Sequence, residues 1–347
     1  MTRVSSLIVV PVALAIERAG GPPVLAFILS LVGIFTLVGV MGRATERLSA
    51  RLGSTSGGLL NASLVNLPEL IIGTVALANG LPSVVKASLT GAILANLLLG
   101  LGAALVAGGL RHGDLRFDSG RLRISSSMLM LCAFCFIVPA VFSLGTPDGT
   151  RDLSLEMSFV LVAIYALNVG VTLFARGAAT GMLAEEHFVD EHPEVPLWRS
   201  VVVLAATAAG LALASETMSN ALEPTAAAFG FTRTFSGLVL LGVVGSLGEI
   251  LSGIRFARQG KSSLLLAATV GSTIQTVLLV APLLVFAGQF LGQPMDLAFT
   301  SFEVVAIVLA TVITRELIQD GRANWFEGVL LVAAYAILAI GFFHLPE

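Results

Sequence analysis

The chain has 347 residues, of which 56% are hydrophobic, 12% are charged and 36 are glycine. This composition excludes an ordinary soluble globular protein and is typical of a polytopic membrane protein. The formal net charge of −3 indicates no particular partner, and no basic patch with interleaved aromatic residues predicts nucleic-acid binding.

Eleven apolar segments follow one another along the chain, and most are long enough for a hydrocarbon core of roughly 30 Å. They cover residues 4–17, 22–42, 57–79, 84–108, 124–144, 155–175, 199–220, 233–254, 263–288, 299–316 and 325–344. The first is short and could be a signal peptide, but Glu17 and Arg18 follow it without a clean cleavage site, so we interpret it as a weak span. The predicted fold class is an all-α polytopic membrane protein with about eleven transmembrane helices in a lipid bilayer.

Basic residues predict the orientation of these helices, because short cytoplasmic loops carry an excess of Lys and Arg. With eleven spans, fifteen of the 19 basic residues fall on the side of the N-terminus and four on the other. We therefore expect a multi-pass protein of the cell membrane with its N-terminus in the cytoplasm and its C-terminus outside.

An internal repeat relates the two halves of the chain. Sliding the sequence by 180 residues aligns GGLLNASLVNLPELIIGTVALANG, from residue 57, with GLVLLGVVGSLGEILSGIRFARQG, from residue 237, without a gap. In this register Glu69 meets Glu249 and Gly80 meets Gly260. Helices 2–6 and 7–11 then form two units of five, and the odd number inverts the second unit in the membrane. The predicted organisation is an extra N-terminal helix (1–21), a first inverted repeat (22–176), an acidic cytoplasmic linker (177–197) and a second inverted repeat (198–347).

Each repeat carries a glutamate beside residues that interrupt helices. Pro68 precedes Glu69, and Gly245 and Gly248 precede Glu249. At such places the ladder of backbone hydrogen bonds can open and free carbonyl oxygens. In transporters with inverted repeats, substrate and coupling-ion sites lie near the midplane of the bilayer at interrupted helices.

The chemistry of these two glutamates predicts a cation site. A carboxylate within a membrane is costly, and two that face one cavity repel each other unless a cation or protons neutralise them. Hard divalent cations such as Ca²⁺ bind oxygen ligands. The candidate metal ligands are Glu69, Glu249, Asn66, Ser246, Asn96, Ser272 and Gln275. The competing interpretation is that the glutamates are protonated structural acids and that the polar residues only join helices by hydrogen bonds.

Other residues with chemical potential have simpler explanations. Glu216 and Glu303 lie in or near predicted helix ends, where a carboxylate can face water. Cys132 and Cys135 lie inside an apolar segment without a second pair, so we expect buried thiols and no metal site. No cluster of Ser, His and Asp or of Cys and His has catalytic spacing, and we predict neither an enzyme nor a bound cofactor.

The chain resembles the bacterial and archaeal members of the calcium/proton exchangers, within the cation/calcium exchanger superfamily. The matching stretches include GGLLNASLVNLPELI, KASLTGAILANLLLGLG, SGLVLLGVVGSLGE and LLLAATVGSTIQTVLLVAPLLVF. This resemblance implies an eleven-helix antiporter in which Glu69 and Glu249 bind Ca²⁺ and exchange it for protons. It also implies that Asn66 is a polar position of the first motif, that Ser272 and Gln275 form the GSxxQ element, and that Glu216 is a further acidic position.

Two alternatives stay open at this point. The sequence Leu67-Pro68-Glu69 resembles the motif of sodium/calcium exchangers, and Ile250 replaces the histidine that commonly follows the second glutamate. Both features favour Na⁺ as the coupling ion in place of the proton. The altered motifs and the acidic linker also suggest a transport-inactive sensor or subunit, and the sequence leaves open whether copies of the chain form a homo-oligomer.

Overall fold

The structure, a computed structural model, describes residues 8–51, 63–146, 149–174 and 196–345. Within these ranges the chain is helical apart from short connections and one two-stranded ribbon. The helices are α1 (Val9–Arg18), α2 (Pro23–Arg51), α3 (Leu67–Ala78), α4 (Pro82–His112), α5 (Ser119–Gly145), α6 (Thr150–Phe174), α7 (Leu197–Phe229), α8a (Arg233–Gly245), α8b (Leu247–Arg258), α9 (Ser262–Phe290), α10 (Ser301–Ile318) and α11 (Trp325–Phe343). The start of predicted helix 1, residues 57–62 of predicted helix 3 and nearly all of the acidic linker lie outside the described residues.

Several of these helices are suited to crossing a membrane. Seven of the described helices are individually long and apolar enough, namely α2, α4, α5, α6, α7, α9 and α11. The pair α8a and α8b, bent by 49°, would make an eighth span. The prediction of an all-α polytopic membrane protein is confirmed, while the number of eleven crossings stays a prediction.

Predicted helices 3 and 8 are both interrupted beside the glutamates, where the sequence indicates that the backbone ladder can open. A turn at Val65 and Asn66 precedes α3, and a turn at Ser246 separates α8a from α8b. The first break has a clear cause, because Pro68, the second residue of α3, has no N–H to donate to the carbonyl group of Leu64 in the preceding turn. Glycines on both sides of Ser246 lower the cost of the second break. Asn66 and Ser246 are matched by the 180-residue register.

Helices α4 and α9 are the most buried of the candidate spans and form the centre of the bundle. Both contain wide π-helical turns, at Ala95–Gly100 in α4 and at Ala267–Gly271 and Thr276–Val280 in α9. Such turns occur frequently at functional sites, because the extra residue re-aims neighbouring side chains.

Glycines bring α4 into backbone contact with two neighbours. A Cβ on Gly91 would overlap the carbonyl oxygen of Leu238 in α8a. A Cβ on Gly102 would lie 2.8 Å from the carbonyl oxygen of Gly328 in α11. Small residues at such positions are the usual means of close helix packing in membranes.

Two further contacts hold the periphery of the bundle. Helices α2 and α7 pack along each other, and α1 packs against both, with Asn220 Nδ2 donating to Glu17 Oε1 at 2.8 Å. At one end of the bundle, β1 (Leu115–Arg116) pairs antiparallel with β2 (Arg322–Ala323). This ribbon ties the α4–α5 connection to the α10–α11 connection.

The connection between α9 and α10 is held by a partly buried ion pair. Lys86 Nζ in α4 donates to Asp296 Oδ1 at 3.0 Å and to the carbonyl oxygen of Ala298 at 2.9 Å. The side chains of Lys86 and Asp296 are only 22% and 29% exposed. Lys86→Met would leave Asp296 unpaired, so we expect it to lower the free energy of unfolding by about 1–3 kcal/mol.

The measurement for Lys86→Met is the thermal unfolding midpoint of the purified protein. Lys261→Met is the matched control, because Lys261 is exposed and forms no ion pair within the part of the chain that the structure describes. Equal midpoints for the two variants would show that the Lys86–Asp296 pair contributes no stability.

Candidate cation-binding site

The candidate site lies where α3 and α8b begin. Each of these helices has 12 residues, and the residues that precede them have nearly the same backbone angles. Asn66 has φ −89° and ψ 8°, and Ser246 has φ −89° and ψ 4°. Gly80 and Gly260 follow the two helices, both with φ 73°. The two breaks are therefore equivalent in local structure as well as in sequence.

Glu69 and Glu249 lie in the first turns of α3 and α8b and are brought together. Both are buried, with 9% and 8% exposure, and their carboxyl groups lie within hydrogen-bonding reach of each other. Each carboxyl group also accepts a hydrogen bond from its own backbone N–H. The positive end of a helix dipole favours a negative charge at this position.

One oxygen of each carboxyl group forms no hydrogen bond with the described residues. Glu69 Oε2 and Glu249 Oε2 are buried and have no hydrogen-bond partner among the described residues. Buried polar atoms are almost always satisfied, and one that is not requires an explanation such as an ion that belongs there. Two unsatisfied oxygens on adjacent carboxyl groups fit a cation or protons held between them.

Asn66 and Ser246, which precede α3 and α8b, do not cap these helices with their side chains. Asn and Ser are among the best N-cap residues, because a side-chain oxygen accepts from the N–H groups of the first turn. Neither Asn66 nor Ser246 makes this bond, and Asn66 Oδ1 and Ser246 Oγ are both buried without a partner among the described residues. Their oxygens are therefore kept free beside the two glutamates.

The amide and hydroxyl candidates join the two halves of the chain in pairs. Asn66 Nδ2 donates to Gln275 Oε1 at 2.6 Å, and Asn96 Nδ2 lies 3.5 Å from Ser272 Oγ. Asn96 Oδ1 is a further buried oxygen without a partner in the described ranges. Because Ser272 and Gln275 are three residues apart in α9, these two contacts lie about one turn apart on the same helix.

Glu216 takes no part in these contacts, and its position corrects the expectation that it lies near a helix end, while its role as a further acidic position stays a prediction. Helix α7 continues to Phe229 with Pro224 inside it, since ALEPTAAAF is apolar and rich in alanine, so Glu216 lies in the helix interior and not near an end. Its side chain is exposed and makes no hydrogen bond or ion pair with the described residues.

Glu303 lies at the start of α10, as predicted, but its side chain is only 3% exposed and does not face water. It forms a capping box at the start of α10, where its Oε2 accepts from Thr300 N at 2.9 Å and from Thr300 Oγ1 at 2.8 Å. Cys132 and Cys135 are buried free thiols, as predicted.

Two residues near the site were missed by sequence reasoning. Thr276 stands opposite Asn96 in the 180-residue register, is buried, and donates from its hydroxyl to the carbonyl oxygen of Ser272 at 3.0 Å. The register could have identified Thr276. Tyr165 in α6 is hydrogen-bonded to Ser63, just before the turn at Asn66, and no sequence signal indicates this contact.

The donor set limits the chemistry of the site. Within the described ranges, no group of three or more His, Cys, Asp or Glu side chains is arranged to hold a metal ion. The site offers two carboxyl groups and neutral amide and hydroxyl oxygens. This set is suited to a hard cation that binds reversibly, and its carboxyl groups can also hold protons.

Comparison with known proteins gives consistent results over the whole chain. The sequence profile of the family described as sodium/calcium exchanger protein matches residues 22–174 and 199–343. A protein of Aphanothece halophytica named Ca²⁺/H⁺ antiporter is 35% identical over 356 residues, covering 98% of this chain and 95% of that protein. The Bacillus subtilis protein named Ca²⁺/H⁺ antiporter ChaA is 37% identical over 325 residues, covering 93% of each.

The fold has a counterpart of known structure. The structure of native YfkE superimposes with a TM-score of 0.84 at 34% sequence identity, covering 98% of this chain and 99% of that chain. The similarity extends beyond the site to the arrangement of the whole bundle.

Proposed function

The chain belongs to the sodium/calcium exchanger protein family, and we propose that it is a secondary active antiporter that exchanges Ca²⁺ for protons. The observation that carries this proposal is the contact between Glu69 and Glu249, two buried carboxyl groups on separate interrupted helices. Relatives that share 35% and 37% of their residues with almost the whole chain are named Ca²⁺/H⁺ antiporters. No enzymatic step is required.

The two carboxyl groups are the shared binding place for the cation and the protons. When both are ionised, they bind Ca²⁺ together with the free oxygens of Asn66, Ser246 and Asn96. Protons compete for the same carboxylate oxygens, so the site is either metal-loaded or protonated. Because each carboxylate holds one proton, about two protons exchange for each Ca²⁺. An empty site with two negative charges is too costly to expose alternately to the two sides of the membrane.

Alternating access by inverted repeats fits the organisation of the chain. The family profile matches two segments that nearly coincide with the predicted repeats, and the turns at Asn66 and Ser246 have the same backbone geometry. The proposed repeats are residues 22–176 and 198–347, with the N-terminus inside and the C-terminus outside. The positive-inside rule supports this orientation.

Na⁺ as the coupling ion is the second candidate, and the motif Leu67-Pro68-Glu69 with Ile250 motivates it. The names of the two relatives described above favour the proton. A sensor role that depends on the acidic linker concerns residues outside the described ranges.

The experiment is ⁴⁵Ca²⁺ uptake into proteoliposomes, driven in separate runs by an outward proton gradient and by an outward Na⁺ gradient. We expect uptake with the proton gradient alone. Since protons and Ca²⁺ compete for the same oxygens, lowering the pH on the side that supplies Ca²⁺ should slow the initial uptake.

Two outcomes would contradict this proposal. Uptake with the Na⁺ gradient alone would make Na⁺ the coupling ion. No uptake with either gradient would exclude Ca²⁺ exchange and leave other cations or the sensor role.

A further inference from the structure

Gln275 contacts the site through another residue. Its Oε1 accepts the hydrogen bond from Asn66 Nδ2 at 2.6 Å, across the boundary between the two proposed repeats. An amide oxygen that accepts a short hydrogen bond is a poorer cation ligand than one that is free. Asn66 Oδ1, by contrast, is buried and has no partner among the described residues.

This bond determines what the Asn66 side chain can do. A free Asn at the start of a helix would rotate to cap the N–H groups of the first turn. Here the amide nitrogen is held by Gln275, and no side-chain capping bond is formed. The hydrogen bond therefore keeps Asn66 Oδ1 three residues before Glu69 in the orientation of a ligand.

The second repeat lacks this arrangement. In the 180-residue register, Ser246 stands opposite Asn66, and Ala95 stands opposite Gln275. Ala95 has no acceptor to offer, and Ser246 Oγ has no partner in the part of the chain described. The neutral oxygen beside Glu69 is thus fixed, while the neutral oxygen beside Glu249 is free to rotate.

We propose that Gln275 is a positioning residue that orients Asn66 for the divalent cation and is not itself a ligand. The inference rests on the proposed function, because it takes Ca²⁺ as the ion bound between Glu69 and Glu249. The site is then asymmetric, with a preorganised ligand in the first repeat and an adaptable one in the second. A ligand held in place before binding contributes more to affinity than one that must be ordered on binding.

A double-mutant cycle tests this role on the purified full chain, with equilibrium ⁴⁵Ca²⁺ binding as the readout. Gln275→Met removes the acceptor at similar size, and Asn66→Ala removes the oriented oxygen. We expect Gln275→Met to weaken Ca²⁺ binding about tenfold, the effect of losing one well-placed hydrogen bond. In the Asn66→Ala background, Gln275→Met should have no further effect, because nothing is left to orient. Additive effects of the two substitutions would show that Gln275 binds the ion directly and would overturn the proposal.

Transport kinetics separate positioning from a structural role. Gln275→Met should raise KM for Ca²⁺ about tenfold and leave kcat within about twofold, whereas a general loss of structure lowers kcat. Gln275→Glu, which keeps an acceptor oxygen for Asn66 Nδ2, should restore much of the affinity, and its failure to do so would count against the proposal. Gln259→Met is the matched control, because Gln259 lies at the exposed end of α8b and should behave as the wild type.

Binding of Ca²⁺ by the wild-type protein distinguishes a failure of the proposed function from a failure of the proposed role of Gln275. If it does not bind ⁴⁵Ca²⁺, the proposed function fails. If it binds and Gln275→Met binds equally well, only the positioning role of Gln275 fails.

Discussion

Glu69→Gln and Glu249→Gln are each expected to abolish Ca²⁺/H⁺ exchange while the protein stays folded. Glutamine keeps the size of the side chain but carries no charge and takes up no proton, so it removes one ionic ligand and one proton carrier together. We expect uptake of ⁴⁵Ca²⁺ into proteoliposomes to fall at least about 100-fold, which corresponds to roughly 2.8 kcal/mol.

The geometry also predicts how these variants affect stability. A glutamine amide can donate to the remaining carboxyl group, which already lies within hydrogen-bonding reach. The substitution also removes the repulsion between two carboxylates in the absence of Ca²⁺. We therefore expect the thermal midpoint of each variant without Ca²⁺ to equal or exceed that of the wild type.

Glu156→Gln is the matched control, because Glu156 lies on an exposed face of α6. It should leave uptake unchanged. Full transport by either Glu69→Gln or Glu249→Gln would remove the mechanism based on two carboxyl groups. A large loss of folded protein would instead favour the interpretation of the glutamates as structural acids.

Gly91→Ala is expected to have the largest effect on folding. A Cβ at this position would overlap the carbonyl oxygen of Leu238, so the backbones of α4 and α8a would have to separate. Overpacking a well-packed interior typically costs about 1–3 kcal/mol, and we expect at least the upper end because the neighbour is backbone and not a flexible side chain. The separation would also displace Asn96 in α4 from the proposed site.

The yield of monodisperse protein and its thermal midpoint measure this effect. Gly170→Ala is the matched control, since Gly170 lies inside α6 and, apart from the backbone of its own helix, a Cβ there would meet no atom of the described residues within 4 Å. Its midpoint should stay at the wild-type value or rise slightly, because alanine is the better helix former. A Gly91→Ala protein as stable as Gly170→Ala would show that α4 and α8a have room to adjust.

Much of the fold could be predicted from the sequence because hydropathy alone determines which segments enter a membrane. All eleven apolar segments contain helix within the described residues. The positions of the two helix breaks were harder to predict. Pro68 and the glycines around Ser246 indicate that a helix can be interrupted there, but they do not identify the residue at which the chain turns. The seventh apolar segment was predicted to end at residue 220, whereas α7 continues to Phe229 because ALEPTAAAF is rich in alanine, the best helix former.

The sequence indicated which residues are candidates for the site, but not which of them form hydrogen bonds with each other. The 180-residue register identified Glu69 and Glu249, because a repeated carboxylate in an apolar segment is rare and costly. The bond between Asn66 and Gln275 joins residues 209 positions apart, and it depends on how α3 is placed against α9. No local pattern carries that information, so the sequence could not distinguish a Gln275 that binds the cation from one that orients Asn66.

The π-helical turn at Ala95–Gly100 restricts how the length of this chain can change during evolution. Each residue rotates a helix by about 100°, and a π turn accommodates one residue beyond the regular α-helix. Deleting one residue there would restore a regular helix but would turn Gly102 away from Gly328, and inserting one would do the same in the opposite direction. Relatives that keep this packing should therefore vary in residue type along α4 while an alignment of them shows no single-residue gaps between Gly91 and Gly102.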